Sequence, residues 1–279
     1  MENIMNHFKF LLFSIALAVL CSLYTTTLFA TTDEARPRNN KAEIRDCVDR
    51  ALPELSMRQS LTVFVTGSSG KSQETARSLH WKRIDQGFSR ALIRITAPAR
   101  DAGLAVLLME RDGIDPGIYM YSPQLKRSRR ITGGALSASI MGTDLSYEDF
   151  THRMKIIKSH RYNYVEDQML AGHAVYVLET EPNDGRSAYS RIRTYMDKTI
   201  CVPVKTEFFG LSGSLDKEIT VERDKIELIS NRHIPFYTVV LNHKKNTRSE
   251  FIVNKAEVDP DLRNSIFSPS ELERGFRGG

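Results

Sequence analysis

Two short glycine-containing segments come nearest to known chemical motifs in this sequence. Residues 67–72, GSSGKS, end like a phosphate-binding loop, but Val65 stands where that loop requires its first glycine. Residues 210–214, GLSGS, differ from the G-x-S-x-G turn of serine hydrolases because the second glycine comes one residue early. Strand-like sequence flanks both segments, so each is predicted to be a turn between two strands.

The histidines and carboxylates show no spacing that indicates catalysis or metal binding. No two histidines after residue 30 stand four residues apart, as the ligands of a helical zinc site do, and none has a cysteine beside it. The carboxylates are plentiful, but no spacing pairs two of them as acid and base. We therefore expect a protein that is not an enzyme and that has no metal site and no cofactor.

The segment 126–130, KRSRR, is the densest cluster of charge in the chain. One interpretation is structural, with the arginines paired to the nearby acids Asp144, Glu148 and Asp149. The other is functional, with the segment contacting a phosphate, a lipid headgroup or an anionic partner protein. The candidate contact residues are Arg127, Arg129 and Arg130.

Large or adaptable apolar side chains form the last set of candidates. Core packing explains most of them, but a curved sheet with one long covering helix offers less packing material than a full sandwich. Part of the apolar content is therefore predicted to line a ligand cavity. The candidate lining residues are Ile44, Val48, Phe64, Trp81, Met109, Tyr119, Tyr121, Met141, Tyr147 and Phe150.

Two helices and a long series of strands must position these residues. Apolar spacing predicts a helix over Glu43 to Leu52, and a shorter helix is predicted over Leu145 to Arg153. Strand patterns joined by short turns fill residues 61–256, so neighbouring strands should be antiparallel; one of them, Glu218 to Leu228, is predicted to be uninterrupted. The predicted fold is mainly β (α+β): a strongly curved antiparallel sheet forming an incomplete β-barrel, with both helices covering its concave apolar face.

One long apolar run, residues 11–20, bears on the location of the protein. Residues 1–30 are predicted to be a secretory signal peptide that is cleaved after Ala30. An uncleaved membrane anchor is the alternative. Residues 31–40 are predicted to be a flexible leader, and residues 41–279 a single domain.

The composition is that of an ordinary globular protein, with 41% hydrophobic residues and a net charge of +5, and by itself it indicates no particular partner. Export excludes some classes of partner. An exported protein meets little nucleotide or nucleic acid, so nucleic acid is not expected as a partner. Cys47 and Cys201 would lie in a compartment where a disulfide can form, but two buried thiols agree equally well with the sequence.

Four ordered motifs resemble those of the LolA-like outer membrane lipoprotein-sorting family, and the similarity extends over essentially the whole chain after residue 30. The family fold that this implies is an incomplete antiparallel barrel around a hydrophobic cavity, with helices as a lid. The chain is longer than the dedicated lipoprotein carriers, and its arginine cluster belongs to a branch of the family associated with exporters of the RND type. The motifs are residues 98–107 (PARDAGLAVL), 118–131 (IYMYSPQLKRSRRI), 141–150 (MGTDLSYEDF) and 258–269 (VDPDLRNSIFSP).

The resemblance implies a periplasmic carrier, expected to be a monomer, that binds lipid or the acyl chains of lipoproteins for transfer toward the outer membrane. Neither the cargo nor a catalytic residue follows from it. The alternative is a non-enzymatic periplasmic accessory protein that docks an RND-type exporter through the arginine segment.

Overall fold

A computed structural model of the protein describes residues 41–84, 88–111, 116–152, 162–182, 185 and 187–274. The predicted signal peptide, its cleavage position after Ala30 and the leader lie outside the described residues. Helices α1, α2 and α3 cover Lys41–Arg50, residues 147–152 and Pro269–Arg274. The strands, numbered β1 to β15 in chain order, are Ser56–Thr66, Ser72–Ile84, Phe88–Ala97, Ala105–Met109, Gly117–Ser122, Arg127–Ile131, Asn163–Leu170, His173–Thr180, Tyr189–Asp197, Pro203–Gly210, Leu215–Val221, Ile226–Ile229, Arg232–Pro235, Tyr237–Asn242 and Thr247–Val258.

Thirteen strands of the described residues form one antiparallel sheet in the order β6-β5-β4-β3-β2-β1-β15-β14-β11-β10-β9-β8-β7. Consecutive strands are mostly neighbours because short turns connect them, as residues 67–71 do between β1 and β2. The pairing of β1 with β15, which sets Leu61 opposite Val253, joins the two halves of the sheet. The sheet is curved but not closed into a barrel, which confirms the predicted fold class.

One strand prediction was wrong. The segment from Glu218 to Leu228 is two strands, because β11 ends at Val221 and β12 begins at Ile226 after the 3-10 turn Arg223–Lys225. There the chain leaves the large sheet to form the separate β12–β13 hairpin. The sequence also predicts a strand over Ile156 to Glu166, and its first part lies outside the described residues, which resume at residue 162 before β7.

Helix α1 packs on β8 and β9 through the apolar face that its sequence predicts. Ile44, Cys47 and Val48 are buried on that face. Cys47 forms a disulfide with Cys201, which lies between β9 and β10, so a covalent bond ties the helix to the sheet. The residues beneath the helix are Tyr176, Leu178 and Met196.

Residues 133–152, which we call the covering segment, pack on the other half of the sheet. The segment contains a 3-10 turn, a loop and α2, and its Ile140 and Tyr147 are buried in one cluster with Trp81 of β2. Met141 and Phe150 pack against this cluster and are half-buried. The segment therefore supplies the apolar surface that a second sheet supplies in a sandwich.

The covering segment and α1 lie on the same face of the sheet. Asp149 of α2 pairs with Lys217 of β11, and Lys217 stands opposite Phe208, which stands opposite Ile192. Ile192 and Met196 are four residues apart in β9, so they point to one face. Because Met196 packs beneath α1, both covers occupy the concave face.

The C-terminal residues cover the opposite, convex face of β2 to β5. Arg90 Nη1 donates a hydrogen bond of 3.0 Å to the Phe267 carbonyl, and Lys82 Nζ donates to the Leu262 carbonyl. These bonds hold the segment that follows β15 against the sheet. Its buried apolar residues are Leu262, Ile266, Phe267 and Leu272.

Candidate functional site

Beside the covering segment, the concave face carries on β1 to β3 four half-buried aliphatic residues, which we call the apolar strip. β1 and β2 pair without a shift, so Met57 lies opposite Trp81 and Leu61 opposite Arg77, all on one face. Leu79 lies between Arg77 and Trp81 on β2. The strip, which forms the floor of the candidate site, consists of Met57, Leu61, Leu79 and Ile93.

The covering segment is anchored to the sheet by buried carboxylates, the first of which is Asp144. The Asp144 backbone N–H donates to Ser249 Oγ at 2.9 Å, and the Ser249 hydroxyl donates to Asp144 Oδ2 at 2.7 Å. Thr247 Oγ1 donates to the other carboxylate oxygen. These contacts connect positions 105 residues apart in the chain, from the covering segment to β15.

A second anchor is the ion pair between Asp149 and Lys217. Lys217 Nζ lies 2.5 Å from Asp149 Oδ2 and 3.0 Å from the Tyr189 hydroxyl, which donates to Asp149 Oδ1 at 2.7 Å. The side chains of the ion pair are 7% and 2% exposed. Burial and the adjacent Asp149 carboxylate raise the pKa of Tyr189, so this hydroxyl stays a neutral donor.

The third anchor is Glu148, which binds the segment before β9. Ser187 Oγ and the Ala188 N–H both donate to its carboxylate, and His152 Nε2 lies 3.3 Å away. Burial alone would raise the pKa of Glu148, but the hydrogen bonds from His152, Ser187 and Ala188 outweigh burial and lower it. The carboxylate therefore stays charged and holds α2 in place.

These three anchors test the interpretation in which the arginines of residues 126–130 pair with Asp144, Glu148 and Asp149. Asp144 binds β15, Asp149 binds β11 and β9, and Glu148 binds the segment before β9, so the interpretation that pairs these acids with the arginines was wrong. β6 is an edge strand, its arginines are exposed, and no carboxylate of the described residues lies within 4.0 Å of them. The residues are Arg127, Arg129 and Arg130.

Arg77 is a buried cation on the concave face, and it was not among the candidates chosen from sequence. The residue is 4% exposed. Its Nε donates to Thr75 Oγ1 at 3.0 Å and its Nη2 to the Met141 carbonyl at 3.1 Å. Within the described part of the chain, no carboxylate forms an ion pair with it, and burial lowers its pKa to about 10. The one sequence signal was its spacing, two and four residues before Leu79 and Trp81.

Trp81 presents a second buried polar group on the same face. The residue is 3% exposed, and its indole Nε1 has no hydrogen-bond acceptor among the described residues. Most buried N–H groups in proteins are hydrogen-bonded, so this donor is exceptional. The concave face thus carries two residues whose N–H groups are not all hydrogen-bonded to described residues. They are Arg77 and Trp81, which lie on either side of Leu79 in β2.

The structure divides the ten predicted cavity residues among three places. Trp81 of β2 comes together with three residues of the covering segment, Met141, Tyr147 and Phe150. Ile44 and Val48 lie on the buried side of α1 and pack on β8 and β9, on the same face of the sheet. The remaining four are on the convex face because strand side chains alternate, and three of them pack with the C-terminal segment. These four are Phe64, Met109, Tyr119 and Tyr121.

This architecture defines a class of protein: a curved, open antiparallel sheet with helices over its concave face is the LolA-like fold. An outer membrane lipoprotein-sorting domain, so named, from Vibrio parahaemolyticus aligns with a TM-score of 0.73 and 22% identity, over 84% of this chain and 97% of that one. A DUF1329 family protein from Desulfovibrio piger aligns with a TM-score of 0.75 and 21% identity, over 83% and 98%. A LolA superfamily protein from Nitrosomonas europaea gives 0.62 and 19%, over 81% and 96%.

The family itself is shown by sequence. A family model described as "Uncharacterized protein" matches residues 87–274, which is more than half of the chain, and the chain belongs to that family. The comparison with curated proteins gave no match. Among the described residues, no helix has the length and apolar character needed to cross a bilayer.

Proposed function

We propose that this protein is a periplasmic carrier that binds a lipid, or the acyl chains of a lipoprotein, on its concave face for transfer toward the outer membrane. The observation that carries the proposal is the apolar strip, which lies on the face that the two covers share and stays half-buried beside the covering segment. The LolA-like fold supports it, since one structure of this fold is named for lipoprotein sorting.

The site suits a flexible hydrocarbon chain. Transfer of a methylene group from water to an apolar site contributes about 0.8 kcal/mol, so a chain of several methylenes needs only a modest groove. Met57, Met120 and Met141 are half-buried around the Trp81 cluster. Methionine side chains adapt to irregular shapes, which favours binding of chains that differ in length or unsaturation.

The two covers have different roles in this proposal. The disulfide fixes α1 to the sheet, whereas the covering segment is held by side-chain anchors at Asp144, Glu148 and Asp149. Hydrogen bonds and ion pairs can break and re-form without covalent change. We therefore assign admission and release of cargo to a movement of the covering segment, with α1 as the fixed wall.

Native mass spectrometry of protein purified from a membrane-containing extract, followed by lipid extraction, tests the proposal. We expect a bound lipid or acylated species in the wild-type protein. Leu79→Gln, in the apolar strip, should lose most of it, while Leu228→Gln, at a position that is 62% exposed, should retain it. Protein that is reproducibly empty, and that also ignores added lipids and acylated peptides, would contradict the carrier function.

A second candidate function is docking of a partner, such as an RND-type exporter, through β6. The favouring observation is that its three arginines are exposed on an edge strand and lie beyond 4.0 Å from any described carboxylate. Charge reversal at Arg129 and Arg130 should abolish co-purification with an exporter while lipid binding persists. Unchanged co-purification would exclude docking through this strand.

A further inference from the structure

We propose that the concave face selects amphiphiles with an anionic headgroup, a carboxylate or a phosphate, and that Arg77 is the residue that recognises it. This inference rests on the proposed carrier function and deepens it by naming the chemical class of the ligand. It begins from a buried cation whose counter-charge is missing from the described residues.

The hydrogen-bond geometry of Arg77 leaves capacity for an anion. A guanidinium has five N–H groups in a planar fork that matches carboxylate and phosphate oxygens. Thr75 Oγ1 and the Met141 carbonyl take up two of them, and both acceptors are neutral. Within the described residues the remaining donors have no recorded partner.

Burial of such a charge is costly, so it calls for an explanation. A buried ion without a counter-charge is strongly unfavourable, and buried charges in proteins are ordinarily paired or bound to a ligand. The lowered pKa of Arg77 has burial as its cause, with no carboxylate opposing it. A guanidinium keeps its charge even at this pKa at neutral pH, so the site retains a positive charge that an anionic ligand would neutralise.

The surroundings of Arg77 determine the rest of the ligand. Leu61 of β1 lies opposite Arg77, and Leu79 and Trp81 follow Arg77 on the same face of β2. Arg77 and Trp81 are four positions apart in β2, a span of about 13 Å. An acyl chain would thus extend over the apolar strip from a head held at Arg77.

The hydrogen bond to Met141 connects this recognition to the cover. Met141 belongs to the covering segment, so Arg77 touches both the floor and the lid of the site. An anion that binds the remaining donors shares the guanidinium with the Met141 carbonyl. A purely structural arginine would hold the lid equally for every ligand, whereas a recognition residue discriminates between headgroups on the same chain.

Trp81 provides the measurement, because it is the single tryptophan of the chain. Its fluorescence is titrated with oleate, with oleoyl lysophosphatidate and with oleyl alcohol, which share a chain and differ in headgroup. We expect the wild-type protein to bind one or both anions at least tenfold more tightly than the alcohol. Comparison of oleate with oleoyl lysophosphatidate distinguishes a carboxylate site from a phosphate site. Quenching of the fluorescence by a dibrominated fatty acid would show that the chain lies beside Trp81.

Arg77→Gln should bind the anions and the alcohol with similar affinity, while Arg77→Lys should keep part of the preference. Arg263→Gln, at an exposed arginine of the C-terminal segment on the convex face, is the control and should keep all of it. Equal binding of the three ligands by the wild-type protein overturns the inference even if Arg77→Gln does not fold. A preference that survives in Arg77→Gln overturns it too. Failure of all three ligands to bind would instead contradict the carrier function.

Discussion

Lys217 and Asp149 stand 68 residues apart in the chain and meet in a buried ion pair of 2.5 Å. Lys217 belongs to the sheet and Asp149 to the segment that covers it, so this pair joins the covering segment to the sheet. The Tyr189 hydroxyl bridges the two side chains. The stability of this ion pair therefore contributes to how firmly the covering segment is attached to the sheet.

Lys217→Met should destabilise the protein by about 3–5 kcal/mol, because it leaves the Asp149 carboxylate buried without its counter-charge. Lys217→Met combined with Asp149→Leu should recover most of this loss. Urea denaturation of the single and double variants measures the difference in the free energy of unfolding. As a matched control, Arg50→Ala breaks an exposed ion pair with Asp46 and should cost less than about 1 kcal/mol. Equal losses in the single and double variants would contradict the assigned coupling.

Removal of the disulfide by Cys47→Ala and Cys201→Ala should cost about 2–5 kcal/mol, since the bond closes a loop between positions 154 residues apart. Thermal unfolding with and without a reducing agent is the measurement. The wild-type protein should lose stability on reduction, and the double variant should be indifferent to it. A wild-type Tm that reduction leaves unchanged would argue that α1 does not depend on this bond.

Acidification should weaken the fold through His80. Burial, together with the positive charges of Arg58 and Arg94, lowers the pKa of His80 to about 4, while Glu257 opposes this shift. In the unfolded chain its pKa is about 6.5, so the unfolded state takes up a proton first. Stability from this group is therefore complete above pH 6.5 and is lost as the pH falls toward 4, by up to about 3 kcal/mol.

The measurement is urea denaturation of His80→Gln between pH 7.5 and 4. The variant should show a smaller loss of stability than the wild-type protein over this interval. His173→Gln, at an exposed position, is the matched control and should follow the wild-type curve. Identical curves for His80→Gln and the wild-type protein would contradict the assignment.

Neutral substitutions in the arginine segment should leave stability almost unchanged. Arg129→Gln combined with Arg130→Gln alters exposed side chains of an edge strand, so the free energy of unfolding should change by less than about 0.5 kcal/mol per residue. Differential scanning calorimetry measures it. A loss above about 2 kcal/mol would restore a structural role for these arginines.

The elements of this fold were predictable because their signals are local. The apolar face of α1 and most strands follow from periodicity, which depends on which face of an element is buried. Strand alternation also predicts that Leu79 and Trp81 share a face. The wrong prediction of one strand from Glu218 to Leu228 also comes from relying on local signals. Two consecutive strands of similar composition look like one strand, and local spacing does not show that the chain leaves the large sheet between them.

The candidate site was only partly predictable from the sequence, because it depends on which face of the sheet the covering segment packs against. Trp81 and Met141 were chosen from sequence, yet Tyr119 and Tyr121 lie on the convex face. Arg77 was missed because a charged residue in a strand is ordinarily exposed, and local pattern does not record that a lid covers it.

The sequence by itself determined a mainly antiparallel sheet, an N-terminal helix with one apolar face, and the likeness to the LolA-like family. Only the tertiary structure decided that Cys47 meets Cys201, that the acids of the covering segment bind β9, β11 and β15, and that Arg77 is buried without a carboxylate in the described residues. The physical reason is distance along the chain. Periodicity reports how each element divides between apolar and polar faces, but a contact across 100 residues depends on sheet curvature and cover placement, which no local spacing encodes.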